Sequence, residues 1–209
     1  MILPIAETKQ KIATTILNFE GINLLKQDIA HLLVTKKINL MLDDVDQRII
    51  NNLFNTFDFI ENLDLDRLDI NLELYKRLNK KLTFEQALWP GELRTQTAYI
   101  KSICEDIPPC QLEFLKQELL KLNNIEKKHY KEVIINCFMA LIRSQPFYDG
   151  NKRSTLLLCN LALYKHHLGY FFIPDSQYKE FDHKLTLFYR DNNKSPLYEM
   201  LLQECFHVN

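Results

Sequence analysis

The 209-residue sequence lacks the features that mark secreted and membrane proteins. Its five cysteines include no CxxC pair, so we expect reduced thiols and a cytoplasmic protein. No uncharged apolar run reaches the roughly 18 residues that a bilayer span requires. The first residues show no signal-peptide pattern either. The sequence therefore predicts no membrane partner.

An excess of charge of either sign is also absent. The chain has 26 basic and 27 acidic residues and a formal net charge of -1, so it offers no basic field for nucleic acid. Nucleic-acid binding is therefore not expected. The hydrophobic fraction of 46% and the charged fraction of 25% are typical of a folded globular protein, which excludes a disordered chain.

Glycine and proline are scarce, with four and seven residues, and they gather at a few corners where helices must end. Between these corners the apolar residues recur at helical spacing. We predict helices over residues 7–33, 43–62 and 65–81, with Asp43 and Asp44 as candidate caps of the second and Asp64 as the cap of the third.

Two later stretches depart from a simple amphipathic helix. Residues 91–100 alternate in the manner of a strand, which predicts a short hairpin or flap. Residues 155–168 are apolar around the whole helix axis, which is typical of a central helix buried on all sides. We therefore predict an all-α fold with one small β element.

The loop before this buried helix reads FYDGNKRS, and its residue types fit an anion site. Gly150 lets the backbone approach a ligand, and the N–H groups at a helix start attract anions. The helix dipole disfavours Lys152 and Arg153 there by about 0.3–1 kcal/mol each, which a bound polyphosphate would reverse. Asp149 is a suitable Mg²⁺ ligand. On chemistry alone, a helix cap with a solvated basic surface stays an alternative.

The stretch QPFYDGNKR, residues 145–153, resembles the signature loop of the Fic (Fido) family, His-Pro-Phe-x-Asp/Glu-Gly-Asn-Gly/Lys-Arg. Seven positions match in order and spacing. The segment PGELRTQ, residues 90–96, resembles the family's flap, and the proline pair at 108–109 follows it as in the family. The resemblance covers roughly residues 34–169.

This resemblance implies a Fic-type helical bundle with a small β-hairpin flap. It divides the chain into an N-terminal helical extension, residues 1–34, and a Fic-like domain, residues 35–209. It also implies a protein target that docks at the flap, and it leaves a homodimer open. The residues implied at the flap are Gly91, Glu92, Leu93 and Arg94.

The resemblance further implies ATP and Mg²⁺ as cofactors. Asp149 would bind the metal, and Gly150, Asn151 and Lys152 would hold the nucleotide phosphates. Arg153 would bind nucleotide and stabilise phosphate charge in catalysis. The family's typical reaction transfers AMP from ATP to a protein hydroxyl, whereas its Doc branch, which shares Asn-Lys-Arg, transfers phosphate.

The sequence departs from the family pattern at its catalytic position. Gln145 stands where the family has the histidine that takes the proton of the attacking hydroxyl, and an amide can accept a hydrogen bond but not that proton. Loss of a general base typically costs about 10² to 10⁴ in rate.

A second departure concerns the family's inhibitory pair. Leu156 replaces the second arginine that many members carry. The best match to their inhibitory Ser/Thr-x-x-x-Glu motif is residues 35–39, with Asn39 at the glutamate position; a plain helix-to-loop junction is the alternative there. Three hypotheses remain: a transferase, a Mg-nucleotide-binding regulator without catalysis, and a helical interaction protein that retains the loop only as structure.

Overall fold

The computed structural model describes residues 6–38, 41–100 and 105–207. Within these ranges the chain forms nine α-helices: α1 Ala6–Phe19, α2 Lys26–Thr35, α3 Asp44–Glu61, α4 Leu72–Leu82, α5 Leu112–Asn123, α6 Tyr130–Ser144, α7 Asn151–Lys165, α8 Tyr178–Asp191 and α9 Ser195–Glu204. Two antiparallel pairs of short strands accompany them: β1 Ala98–Ile100 with β2 Glu105–Ile107, and β3 Tyr170–Phe171 with β4 Phe206–His207. The prediction of an all-α fold with a small hairpin is confirmed.

Helix α7 is the centre of the bundle. Twelve of its 15 residues are buried, and α1, α4, α5 and α6 all pack against it. Its apolar side chains point in every direction, so only neighbours on all sides can cover them. Leu156 lies wholly within this core. The N-terminus of α7 therefore sits in the middle of the fold.

Local capping decides where the first helices begin. Asp43 caps α3 as predicted, because its side chain accepts a hydrogen bond from the Asp46 N–H at 2.8 Å. Asp64 caps only a short 3-10 turn, and the cap of α4 is Asn71, which accepts from the Leu74 N–H at 2.9 Å. The third predicted helix consequently starts later than residue 65.

The single helix predicted over residues 7–33 is wrong, because the chain breaks between α1 and α2. Gly21 has a φ of 77°, and the Ile22 N–H donates to the Leu17 carbonyl at 3.0 Å, the pattern of a glycine helix stop. Helix α1 contacts both α3 and α7. The break leaves Glu20 at the C-terminal end of α1, beside the start of α7.

The hairpin lies later than the alternation indicated. Strand β1 occupies only the last three residues of the predicted segment 91–100, with Ala98 opposite Ile107. Leu93 instead forms an isolated antiparallel bridge with Phe147 of the signature loop. Asn39, the predicted inhibitory position, lies outside the described residues. None of the described helices is both long and apolar enough to span a bilayer.

Candidate functional site

The signature loop joins α6 to α7 through two left-handed residues. Gln145 ends α6 with φ 44°, and Gly150 precedes α7 with φ 71°. Asn151 holds the loop between them. Its Oδ1 accepts from the Phe147 N–H at 2.9 Å, and its Nδ2 donates to the Phe147 carbonyl at 2.9 Å. Phe147 is buried against the ring of Tyr75, so the loop is anchored in the core.

The side chain of Gln145 is a fully bonded part of this frame. Its Nε2 donates to the Ile142 carbonyl at 2.7 Å and to the Tyr189 hydroxyl at 3.3 Å. Its Oε1 accepts from Asn151 Nδ2 at 2.8 Å. The position that aligns with the family's base therefore holds an amide that ties α6, α7 and α8 together.

Neither His129 nor His166 lies where it could act as the base. His129 pairs with Glu132 at the far end of α6, and His166 contacts the Asn123 carbonyl just beyond the far end of α7. Both lie at the opposite helix ends from the loop.

Arg153 is 1% exposed, and its guanidinium faces four acceptors. Nη1 donates to Gln86 Oε1 at 3.0 Å and to the Leu82 carbonyl at 3.3 Å. Nε lies 2.9 Å from Glu20 Oε1, and Nη2 lies 3.3 Å from Asp149 Oδ2. The two carboxylates neutralise the charge of the guanidinium, but they do not complete its hydrogen bonds. Neither Nε nor Nη2 has a hydrogen-bond acceptor in the described part of the chain. Buried donors in this condition are uncommon and mark a strained or ligand-binding position.

Glu20 is a residue of this site that the sequence analysis missed. Its carboxylate is largely buried, and this desolvation raises its pKa although Arg153 opposes the shift. Ile16, not serine or threonine, stands four residues before it, so the inhibitory motif does not match. The sequence signal that could have drawn attention to Glu20 is its position directly before Gly21, one of only four glycines.

One oxygen of Asp149 stabilises the loop, while the side chain stays accessible to a ligand. Its Oδ1 accepts from the Gly150 N–H at 2.5 Å, while its side chain remains 49% exposed. No cluster of three or more metal-ligating side chains occurs among the described residues. A single carboxylate nevertheless suits Mg²⁺, which usually takes its other ligands from water and substrate phosphates.

The ammonium group of Lys152 does not lie at the start of α7 beside the loop. Its Nζ lies 5.2 Å from the centroid of the Phe19 ring and 3.5 Å from the Phe19 carbonyl. Burial lowers the pKa of this lysine. The side chain packs against α1, so only the backbone N–H of Lys152 lies at the helix start.

Asn79 of α4 joins the flap to the loop, a connection that the sequence did not indicate. Its Oδ1 accepts from the Gly91 N–H at 3.0 Å, and its Nδ2 donates to the Asp149 carbonyl at 2.8 Å. Gly91 has a φ of 77° and lies so close to α4 that a Cβ would be 2.7 Å from the Lys76 carbonyl oxygen. Glu92 pairs with Lys76 at 3.2 Å.

Arg94 is 5% exposed and forms the base of the flap. It donates to the carbonyls of Gln145, Ile107 and Pro108, each at 3.0 Å. Its guanidinium is therefore occupied in holding the hairpin against the loop. Leu93, by its bridge to Phe147, does the same through the backbone.

A partly exposed aromatic pair, Tyr148 and Trp89, joins the loop to the segment before the flap. The Tyr148 hydroxyl accepts from the Thr95 N–H at 3.3 Å, and hydrogen bonding with Thr95 lowers the pKa of Tyr148. The Trp89 ring lies 4.7 Å from the Tyr148 ring, measured between centroids. The flap and the loop thus form one connected surface.

A family model described as the Fic/DOC family matches residues 68–163, which contain α4, the flap and the signature loop. Over these residues the chain matches the Fic/DOC family. Solved Fic proteins share this fold over almost its whole length. Fic-1 (residues 134–508) from C. elegans covers 95% of the chain with a TM-score of 0.73 and 16% sequence identity.

Two bacterial structures give the same picture. A Fic family protein from Desulfovibrio desulfuricans G20 covers 93% of the chain at a TM-score of 0.69 and 18% identity. A Fic domain containing signaling protein from Bacteroides thetaiotaomicron VPI-5482 covers 94% at a TM-score of 0.71 and 16% identity. The chain corresponds to 60%, 61% and 83% of the three solved chains, respectively. Comparison with curated proteins gives no match.

Proposed function

We propose that this Fic domain binds ATP with Mg²⁺ at the signature loop and acts on a cytoplasmic protein partner, without fast nucleotidyl transfer. Buried Arg153 carries the proposal. Two of its nitrogens have no hydrogen-bond acceptor in the described part of the chain, although two carboxylates lie within 3.3 Å. A phosphate group presents several oxygens and would meet the guanidinium donors that single carboxylates leave unmet.

The surroundings of Arg153 suit the same ligand. The first N–H groups of α7 have no intrahelical acceptor, and the helix dipole favours an anion there. Asp149, half exposed beside this helix start, would hold Mg²⁺ jointly with the phosphates. The metal would supply charge neutralisation of the phosphate oxygens.

Without nucleotide, Glu20 is the anion that pairs with Arg153. Its carboxylate occupies the side of Arg153 that a phosphate would use, 2.9 Å from Nε. It therefore acts as an internal anion that nucleotide must displace. This is the role that the family resemblance assigns to an inhibitory glutamate, although here the partner is Arg153 because Leu156 replaces the second arginine.

Gln145 favours binding over catalysis. Its amide can orient a hydroxyl group, but it cannot take the proton, and its own hydrogen bonds already hold the loop. The parent chemistry is AMP transfer to a protein hydroxyl. In this chain we assign the loop to a nucleotide-dependent regulatory or interaction role, with the flap as the partner's docking place and a homodimer left open.

The second candidate is a slow transferase, of AMP or, as in the Doc branch, of phosphate. The observation in its favour is that the flap and the loop are joined through Asn79 and Arg94, so a docked hydroxyl would be held against the loop. ATP labelled at the α or the γ phosphate distinguishes the two transfers. Absence of transfer of either label, with nucleotide bound, supports the binding function.

Calorimetry with ATP tests the proposal. We expect Mg²⁺-dependent heat from the wild-type chain and loss of the Mg²⁺ dependence in Asp149→Asn. Asp66→Asn, which removes an exposed carboxylate from the 3-10 turn before α4, is the matched control and should leave binding unchanged. A folded wild-type chain that gives no heat, or equal effects of the two variants, would contradict the proposal.

A further inference from the structure

A basic groove lies between α3 and α4, outside the signature loop. It has a volume of about 440 Å³ and is lined by Asn52, Asn55, Arg77, Lys80, Lys81 and Phe84. The three cations recur at i, i+3 and i+4 on α4, so they share one face of the helix. No carboxylate lines this groove. None of the three cations forms an ion pair within the described ranges.

The favourable interaction of cations with the C-terminal end of the helix dipole explains only some of the positive charge in the groove. Lys80 and Lys81 lie in the last turn of α4, where cations are favoured. Arg77 lies a turn earlier, and the facing side chains from α3 are neutral amides rather than carboxylates. Glu73 stands four residues before Arg77, the spacing of a helical ion pair, but no such pair forms among the described residues. The groove therefore has the electrostatics of an anion-binding surface.

Aromatic rings shape the groove and hold its cations in place. Arg77 lies 4.7 Å and Lys81 lies 5.1 Å from the centroid of the Phe59 ring. Such cation–π contacts orient the positive groups without neutralising them. Phe84 is 53% exposed at the rim, although its carbonyl is fixed by Asn52 Nδ2 at 2.8 Å. The groove thus offers fixed positive charge and one apolar anchor.

The groove is continuous with the flap. A Cβ at Gly91 would lie 2.7 Å from the Lys80 Cβ, so the start of the flap runs directly along α4. The connecting segment carries Leu88 and Trp89, which are 75% and 47% exposed. A chain docked on the flap can therefore extend over these apolar residues and reach the groove.

We propose that the groove is a docking site for an acidic segment of the protein partner, with an apolar residue beside Phe84. This rests on the proposed function, which places a partner at the flap, and it specifies the chemistry of that partner. Fixed cations without carboxylates complement a row of Asp and Glu side chains. Such complementarity acts mainly on partner selection and association rate and weakens with salt.

Fluorescence polarisation with a short labelled peptide of alternating Glu and Asp tests the site. The Gln/Asn peptide of the same length is the uncharged control. We expect the wild-type chain to bind the acidic peptide and Arg77→Gln/Lys80→Gln/Lys81→Gln to bind it at least about tenfold more weakly, which corresponds to about 1.4 kcal/mol.

The matched variant is Lys116→Gln/Lys127→Gln/Lys179→Gln, which removes the same charge from exposed positions elsewhere. It should retain binding. Equal losses in the two triple variants, or no binding by the wild type, would overturn the proposal. Calorimetry with Mg²⁺ and ATP on the same proteins reports the loop separately, so failure of one site is distinguishable from failure of the other.

Discussion

The two ends of the signature loop differ in how well their polar groups are satisfied. Gln145 has hydrogen-bond partners for both its amide nitrogen and its carbonyl oxygen. Arg153, eight residues later, is more deeply buried and has two nitrogens without an acceptor among the described residues. One end of the loop is complete without a ligand, and the other is not.

We assign a structural role to the Gln145 end of the loop and a ligand-binding role to the Arg153 end. A buried donor without an acceptor is costly, so a site that keeps one needs a compensating ligand or a competing internal group. Glu20 supplies the internal group through charge. Gln145, by contrast, has no unmet group that a substrate would satisfy. Under the proposed function, the loop binds nucleotide at its Arg153 end and has an amide rather than a base at Gln145.

Restoring the base should give the largest effect. In the background of Glu20→Gln, which frees Arg153, we expect Gln145→His to raise transfer of labelled nucleotide by about 10² or more, because a general base contributes this much. Histidine is also among the residues that tolerate the left-handed conformation found at this position. Autoradiography after incubation with labelled ATP and lysate measures the transfer.

Gln145→Asn in the same background is the control for that gain. Asparagine tolerates the same backbone conformation but has no basic nitrogen. It should remain inactive. Equal transfer by the two variants would show that the loop's conformation, rather than the missing base, limits the reaction.

Substitution of two glycines tests how closely the Arg153 end of the loop packs against α4. Gly150 and Gly21 have φ angles of 71° and 77°, but a Cβ at Gly150 would lie 2.4 Å from Thr83 Cγ2, whereas one at Gly21 meets nothing within 4 Å. We expect Gly21→Ala to lower the free energy of unfolding by about 1 kcal/mol, the cost of the left-handed conformation.

Gly150→Ala should lower the free energy of unfolding by about 3 kcal/mol, because overpacking adds to the same conformational cost. Urea denaturation of both variants measures the two losses. Equal losses would mean that α4 and the loop are not in close contact.

A smaller effect should appear in the pH dependence of nucleotide binding. Burial raises the pKa of Glu20, so this carboxylate takes up a proton at a higher pH than an exposed glutamate. As the pH falls through that raised pKa, Glu20 loses its charge and its hold on Arg153. The affinity of the wild type should then approach that of Glu20→Gln. Comparison of the two proteins by calorimetry cancels the titration of ATP itself, and a ratio independent of pH would contradict this expectation.

The sequence predicted the fold well because its signals were local. The fully apolar α7 and the cap at Asp43 each depend on neighbours in the chain. The break at Gly21 was missed, since helical spacing continues across it and only the glycine's conformation interrupts the helix. The start of α4 was misplaced for a similar reason, because Asp64 and Asn71 are both good caps and packing selects between them.

The site could be predicted only in part. The residues from Asp149 to Arg153 follow one another in sequence, so their resemblance to the Fic loop was visible. Glu20, Asn79 and Tyr189 reach the loop from distant parts of the chain, and only the three-dimensional structure brings them there. For the same reason, no sequence pattern indicated that Lys152 packs on Phe19 or that Arg94 is enclosed.

The most direct test of the account is the affinity for ATP and Mg²⁺ of Glu20→Gln relative to the wild type at neutral pH, measured by calorimetry. Glu7→Gln, which removes an ion-paired carboxylate from the same helix, is the control and should bind like the wild type. If Glu20 is the internal anion on Arg153, the affinity of Glu20→Gln should rise by about tenfold or more, or about 1.4 kcal/mol. An affinity equal to that of the wild type, or no binding by a folded Glu20→Gln, would contradict the claim that Arg153 is a phosphate site held by Glu20.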